Sequence, residues 1–246
     1  MDAPKEPDVS SALANRSADY VTSAAKAVLG VVPFAGSLLA EVAGTIIPNQ
    51  RVDRIAKFAA ILDEKLSHLE QEFVRGHLTD ENFTDLLEEG IRQAARSVTD
   101  ERRQYIASLI SRGVEASHVE FIESKHLLRI LGEINDIEII RLRFYLVPTI
   151  GGDREFRDRH KDIVERVPAY IGASREVLDK AALQESYDHH LAELDLLRPR
   201  YHTDSRTGLP EFDRMTGAPK VWHHEITPLG RLLLRHIGLS ANENVA

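Results

Sequence analysis

The chain has 246 residues, no cysteine and a formal net charge of −8 at pH 7. The lack of cysteine excludes disulfides and thiolate metal sites. The acidic balance argues against nonspecific nucleic-acid binding over the whole surface, because phosphates need a positive face. Hydrophobic residues make up 43% and charged residues 28%, which is typical of a soluble globular protein with a sizeable core.

The first part of the chain predicts a helical bundle behind a polar leader. Residues 1–16 (MDAPKEPDVSSALANR) have no basic segment followed by an apolar run, so we expect a disordered leader and no secretory signal. Helical patterning dominates residues 17–148. Its most apolar part, residues 28–47, predicts a helical hairpin interrupted at Pro33.

This hairpin raises the question of membrane insertion, because about twenty apolar residues can span a bilayer. Its one charged residue, Glu41, would cost about 2.5–3.5 kcal/mol near the bilayer centre. Together with Pro33, this cost argues against a permanent span. We expect a hairpin buried in the bundle, with conditional release toward a membrane or a partner as the alternative.

Small residues recur at every fourth position of the second half of the hairpin. Such spacing forms a groove along one side of a helix, in which another backbone packs closely. The predicted packing and interaction groove consists of Gly36, Ala40, Glu41 and Gly44.

The following helices show clear apolar periodicity. A heptad pattern after Pro48 predicts a core helix, widened by Phe58 and Ile61, with the positions Val52, Ile55, Ala59, Leu62, Leu66, Leu69 and Phe73. A helix capped by Thr79 has the apolar positions Phe83, Leu86, Leu87, Gly90, Ile91, Ala94, Ala95 and Val98. The next helix starts at Thr99 or Asp100 and ends at Gly113, with Tyr105, Ile106, Leu109 and Ile110 facing inward.

A further helix is predicted from about Glu123 to Leu146. It ends before Pro148 and the turn signal Gly151-Gly152. We therefore place a domain boundary between Pro148 and Asp153.

One stretch resembles a known family. TDENFTDLLEEGIRQAARSVTDERRQYIASLIS and HLLRILGEINDIEIIRLRFYL, within Thr79–Leu146, resemble bacterial abortive-infection-alpha-like helical proteins. The apolar hairpin followed by PNQRVDRIAKF extends the resemblance back to Leu29. It rests on hydrophobic spacing and implies an anti-phage or stress-response role. It carries over no catalytic residue.

Residues 153–240 predict a winged-helix-like domain, followed by a tail over 241–246. Ser174 caps a helix that reaches about Leu196, with apolar positions at Leu183, Tyr187, Leu191, Leu194 and Leu197. LLRPRY and PKVWHHEI predict two paired strands. Thr227 and Pro228 begin a short amphipathic helix that ends near Gly238.

The predicted wing combines basic and aromatic residues. The candidates for partner contact are Arg198, Arg200, Tyr201, Arg206, Arg214, Lys220 and Trp222. The preceding helix, EVLDKAALQESYDHHLAELD, is acidic and would repel phosphates. The module therefore favours protein–protein contact over DNA binding.

The sequence contains no recognisable catalytic motif. The phosphate loop, the HExxH pair, the GxSxG elbow and the GxGxxG turn are all missing. Six histidines cluster late in the chain, but adjacent ones point about 100° apart on a helix and to opposite faces of a strand. The six histidines are His189, His190, His202, His223, His224 and His236. We predict no catalytic residues, no metal site and no cofactor.

The predicted fold is mainly α, a helical bundle followed by a small winged-helix-like module of α-helix and β-hairpin. The predicted function is that of a non-enzymatic interaction or effector protein in bacterial phage defence. We expect a protein partner, self-association through the bundle, a cytoplasmic location, and peripheral contact with the inner membrane on activation. The alternative is a winged-helix transcriptional regulator, and an unrecognised hydrolase or metalloenzyme ranks last.

Overall fold

The structure is a computed structural model that describes residues 51–67, 69, 80–115, 118–149, 152–168, 170, 172–212 and 217–240. The predicted leader, the apolar hairpin with its groove residues Gly36, Ala40, Glu41 and Gly44, Arg214 and the tail lie outside the described residues. The first four helices in this part are α1 (Val52–Leu66), α2 (Glu81–Arg96), α3 (Asp100–Glu115) and α4 (His118–Glu133). The remaining elements are α5 (Asp136–Phe144), α6 (Arg154–Arg159), α7 (Lys161–Val164), α8 (Arg175–Glu193), β1 (Leu197–Tyr201), β2 (Val221–Ile226) and α9 (Pro228–His236).

The described residues are mainly helical and include a small two-stranded antiparallel sheet, as predicted. The chain divides into two compact units at Leu128 and Arg129, within α4. We expected a boundary between Pro148 and Asp153, some twenty residues later. Residues 129–148 belong to the second unit because α5, which lies among them, packs against α7 and α8.

The first unit is built on α1, α2 and α3, which pack against one another. The inward face of α1 follows the predicted heptad at Ile55, Ala59, Leu62 and Leu66, which are buried together with the flanking Phe58. The last predicted heptad position, Phe73, lies outside the described residues. The apolar positions predicted for α2 are buried from Phe83 to Ala95. Periodic apolar residues therefore located this core correctly, because a helix must turn its apolar stripe away from water.

The prediction for Val98 was wrong, since this side chain is 80% exposed. Helix α2 ends at Ser97, whose backbone is extended (φ −67°, ψ 130°). The helical period therefore no longer applies at the next residue.

Gly113 does not end α3, which continues to Glu115. A Cβ at this position would lie 2.7 Å from Leu86 Cδ2. The glycine therefore permits close packing between α2 and α3, which is a tertiary role that its sequence context does not reveal.

The single helix predicted from Glu123 to Leu146 is in fact two helices, α4 and α5. Asn135 lies between them in extended conformation, and its side chain accepts a hydrogen bond from Glu138 N at 3.0 Å. The Glu138 carboxylate accepts one from Asn135 N at 2.7 Å. This reciprocal capping box starts a new helix and overrides the continuous apolar pattern.

The second unit contains the sheet and α5 to α9. The strands pair with Leu197 opposite Ile226 and Pro199 opposite His224, and a register irregularity follows between Arg200 and Tyr201. These strands and the Thr227 cap of α9, which accepts from Gly230 N at 3.0 Å, lie where they were predicted.

The apolar pattern predicted for α8 is only partly correct. Leu191 is fully buried, whereas Leu183 is 55% exposed. The buried position next to Leu183 belongs to the polar residue Gln184.

Gly230 gives a first testable prediction, because the backbone of α9 lies close to the end of α8. A Cβ here would collide with the carbonyl oxygen of Leu196 and would lie 2.9 Å from Ile226 Cγ1. Alanine favours a helix interior by about 1 kcal/mol over glycine, but here the collision with backbone dominates. We expect Gly230→Ala to lower the free energy of unfolding by about 1–3 kcal/mol.

This value can be measured by urea denaturation followed through the fluorescence of Trp222, the only tryptophan of the chain. Arg231→Ala, at an exposed position of the same helix, is the control and should change little. Equal or greater stability of Gly230→Ala would contradict the packing described.

Candidate functional site

The second unit contains a cleft of about 990 Å³. Its walls come from α5, the segment 157–168, one face of α8 and both strands. The cleft combines aromatic side chains with ionisable groups. It is the best candidate site in the part of the chain that the structure describes.

An ion pair between α5 and α8 forms its floor. Arg141 donates to both carboxylate oxygens of Asp188, from Nε at 2.8 Å and from Nη2 at 2.6 Å. Its Nη1 donates to Ile163 O at 3.0 Å, and the Tyr145 hydroxyl donates to Asp188 at 3.0 Å. Both partners are largely buried, with side-chain exposures of 9% and 13%.

The environment raises the pKa values of Arg141 and Tyr145. Burial alone would lower the pKa of Arg141, but the hydrogen bonds and charge of Asp188 outweigh it and raise that pKa. Burial, followed by the charge of Asp188, raises the pKa of Tyr145 well above its ordinary value. Tyr145 therefore remains a hydrogen-bond donor, and the Asp188 oxygens are occupied. The cluster is a buried ion pair that ties α5 to α8.

His224 closes the floor from the sheet side. His224 is paired with Pro199 across the strands, so both side chains lie on the same face of the sheet. The centre of the His224 ring is 6.0 Å from the centre of the Tyr145 ring, in edge-to-face geometry. Its Nδ1 is 3.9 Å from Asp188 Oδ2. Burial lowers the pKa of His224, with help from the charges of Arg141 and Arg166 and against the pull of Asp188.

This lowered pKa predicts a pH dependence of stability. A histidine whose folded pKa lies below the ordinary 6.5 stabilises the fold above pH 6.5 and loses this contribution as pH falls through the lowered pKa. We expect the free energy of unfolding to fall between about pH 7 and pH 5, and to fall less steeply in His224→Gln.

The measurement is urea denaturation at several pH values, followed through Trp222 fluorescence. His189→Gln is the matched control, because this neighbouring histidine is 75% exposed in its side chain. An unchanged slope in His224→Gln would contradict the prediction. Burial also lowers the pKa of His160. This residue therefore accounts for part of the pH dependence of stability that remains in His224→Gln.

Two further polar contacts hold the cleft walls. Glu138 Oε1 lies 2.7 Å from His190 Nδ1, so the residue that caps α5 also ties it to α8. The Gln184 side chain accepts from Val167 N at 3.0 Å and donates to Glu165 O at 2.8 Å. Gln184 thereby fixes the segment 163–167 along α8.

The predicted wing residues are distributed over the two faces of the sheet and the connection between its strands. Tyr201 and Trp222 line the cleft. Arg198 and Arg200 alternate with the cleft-facing residues of β1, so they lie on the opposite face. Arg206 and Lys220 lie in the connection between the strands, and Arg214 is outside the described residues.

Carboxylates accompany most of the described basic candidates. Arg200 Nε donates to Glu225 at 2.8 Å. Lys220 lies 3.6 Å from Glu211, and Arg198 lies 4.0 Å from Asp195. This pairing reduces the positive potential that the sequence led us to expect on the wing.

Sequence reasoning missed the floor of the cleft. The sequence showed His224 only as one of six clustered histidines, and Asp188 only as part of an acidic helix. Arg141 and Tyr145 lay within an apolar helix pattern and were not predicted as site residues. Because Arg141 and Asp188 are forty-seven residues apart, no local spacing connects them. In the described ranges, no group of three or more metal-ligating side chains is placed to hold an ion.

No protein-family model matches the chain, and neither a curated protein nor a solved structure matches it. The resemblance to abortive-infection-alpha-like proteins stays a prediction. Within the described residues, no helix combines the length and apolar character needed to cross a membrane.

Proposed function

We propose that this chain is a non-enzymatic interaction and effector protein whose second unit binds a protein partner through its β-hairpin. One observation carries the proposal. Of the eleven most exposed large hydrophobic residues in the described part, five lie in the hairpin or its connection: Tyr201, Leu209, Phe212, Val221 and Trp222. Exposed apolar residues concentrated in one module mark a site of interaction with other proteins.

The charges of the hairpin support a protein partner over nucleic acid. Arg200 and Lys220 are accompanied by Glu225 and Glu211, so little net positive charge is left for phosphates. Aromatic residues with a polar edge, such as Tyr201 and Trp222, are enriched where proteins bind one another. We place this binding in bacterial phage defence, on the resemblance described for Thr79–Leu146.

The experiment removes the apolar tip without touching the cleft. Leu209→Ser with Phe212→Ser changes two side chains that are 65% and 57% exposed. The matched control is Val98→Ser with Ile122→Ser, at 80% and 57% exposure in the first unit. Both double variants and the wild type are expressed in a phage-sensitive bacterium, crosslinked during infection and assayed for plaque formation.

We expect the wild type and the control to reduce plaque number and to form the same crosslinked species. The Leu209/Phe212 variant should neither reduce plaque number nor form the crosslinked species. No protection by the wild type would refute the defence role. Equal crosslinking by all three proteins would refute binding through the hairpin.

The proposal includes a conditional role for the apolar segment 28–47, which would act on a membrane or on the partner once released. Its motivation is the sequence pattern of Gly36, Ala40 and Gly44 beside the lone Glu41. Leakage of dye from anionic liposomes tests the membrane branch, with protein alone and with protein plus lysate of infected cells. Leakage that Gly36→Leu and Gly44→Leu leave unchanged would count against a hairpin-specific action.

A DNA-binding function of winged-helix type is the second candidate, because the order α8, β1, β2, α9 is the order of such a module. Binding to random duplex DNA over a salt series tests it, since phosphate contacts are strongest at low salt. Binding at low salt that weakens in Arg206→Gln would favour this candidate over the first. No binding at low salt removes it.

A further inference from the structure

We propose that the cleft of the second unit binds a small molecule in which a flat ring carries one carboxylate or phosphate group. The site shares Tyr201 and Trp222 with the hairpin surface of the proposed function. It does not include the apolar tip, Leu209 and Phe212, and the inference does not depend on protein binding there. It rests on three features of the cleft: the charges left unpaired, the exposed aromatic wall and the size of the space.

Four of the eight ionised side chains that line the cleft are paired with one another. Arg141 is matched by Asp188, and Lys161 lies 3.9 Å from Glu165. Two cations of the lining remain outside these ion pairs, Arg157 and Arg166.

The first is Arg157, whose guanidinium lies over the Phe144 ring, 4.8 Å from its centroid. Its Nη2 donates to two carbonyl oxygens, of Val147 at 3.2 Å and Thr149 at 3.0 Å. Its Nε is buried and has no hydrogen-bond partner among the described atoms. Carbonyl dipoles and a ring face therefore solvate this charge, and no carboxylate in the described part of the chain forms an ion pair with it.

The second cation is Arg166, which also lines the cleft and is exposed. Its charge contributes to the lowered pKa of His224, which places it close enough to act on the floor. Asp158 and Glu185 also line the cleft, and both are exposed, as Arg166 is, so water screens all three charges. Arg157 is less exposed than these three residues, so its unpaired charge is the least screened and favours an anion in the cleft.

The sheet wall supplies the surface for a ring. Trp222 is 61% exposed and Tyr201 is 41% exposed, and both line the cleft. The helix opposite contributes the small side chains Ala181 and Ala192, which leave room between the walls. A space of about 990 Å³ is at the upper end of the range usual for small-molecule sites.

Because Trp222 is the only tryptophan, its fluorescence reports directly on this wall. The native protein is titrated with two matched pairs of probes, excited at the red edge of tryptophan absorption. Phenylacetate is compared with its neutral amide, phenylacetamide, and adenosine 5′-monophosphate is compared with adenosine. The pairs separate a carboxylate ligand from a phosphate ligand, and each pair isolates the effect of the charge.

We expect at least one anionic probe to quench Trp222 saturably and its neutral counterpart to bind more weakly. Arg166→Gln should raise the Kd of that anion about fivefold. Higher salt should also raise this Kd. Arg198→Gln, on the opposite sheet face, should leave the Kd unchanged. Tyr201→Ala is a second variant and should weaken both members of the pair.

Three results would overturn the inference. One is the absence of saturable quenching by either anion up to about 20 mM, a concentration that would detect even weak binding. Another is equal affinity for the charged and neutral members of both pairs. The last is an unchanged Kd in Arg166→Gln when urea denaturation shows that this variant is as stable as the wild type.

Discussion

Asp188→Ala should lower the free energy of unfolding by about 3–5 kcal/mol. The substitution leaves the Arg141 guanidinium, whose side chain is 9% exposed, without its carboxylate partner, although the hydrogen bond to Ile163 O remains. It also removes the acceptor of the Tyr145 hydroxyl. A buried charge that loses its partner costs far more than the pair contributes in net terms, because its desolvation is no longer offset.

Urea denaturation followed through Trp222 measures this loss within the same unit. The control is Glu155→Ala, which breaks an exposed pair with Arg159 whose side chains are 85% and 65% accessible. Water screens that pair, so the control should lose at most about 1 kcal/mol. A double variant, Arg141→Met with Asp188→Leu, should recover part of the stability lost by Asp188→Ala. Equal losses for Asp188→Ala and Glu155→Ala would show that the floor of the cleft is not assembled as described.

Phe58→Ala should lower the free energy of unfolding of the first unit by about 3–5 kcal/mol. Phe58 is fully buried on α1, which packs against α2 and α3. Removing the ring forfeits its transfer from water and leaves a cavity that neighbouring helices fill only in part. Urea denaturation followed by far-UV circular dichroism measures the loss, since this unit has no tryptophan.

Val98→Ala is the matched control for Phe58→Ala. Sequence periodicity placed both residues in the core, but Val98 is 80% exposed in the structure. We expect its replacement to change stability by no more than about 0.5 kcal/mol. If the two substitutions cost the same, then either α1 does not pack as described or Val98 is buried in solution.

Local patterns identified the elements well. The apolar positions of α1 and α2, the two strands, and the Thr227 cap of α9 each depend on neighbours within a few residues. Such features follow from helical or strand periodicity and from capping chemistry, which a short stretch carries by itself. The Asn135–Glu138 capping box, which starts α5 and so divides the predicted long helix, is a local feature of the same kind.

The features that local patterns missed depend on distant residues. Gly113 looks like a helix end, but its missing Cβ makes room for Leu86. Gln184 takes a buried position next to an exposed Leu183, because segment 163–167 offers it backbone partners.

The sequence by itself determined that this chain is mainly helical with one β-hairpin, because periodicity and caps act over a few residues. Only the tertiary structure decided that Arg141, Tyr145, Asp188 and His224 meet beneath an aromatic wall. Their positions along the chain span more than eighty residues, and burial selects such a pairing only when the helices and the sheet pack together. The cleft and the unpaired charges beside it therefore emerged from packing alone.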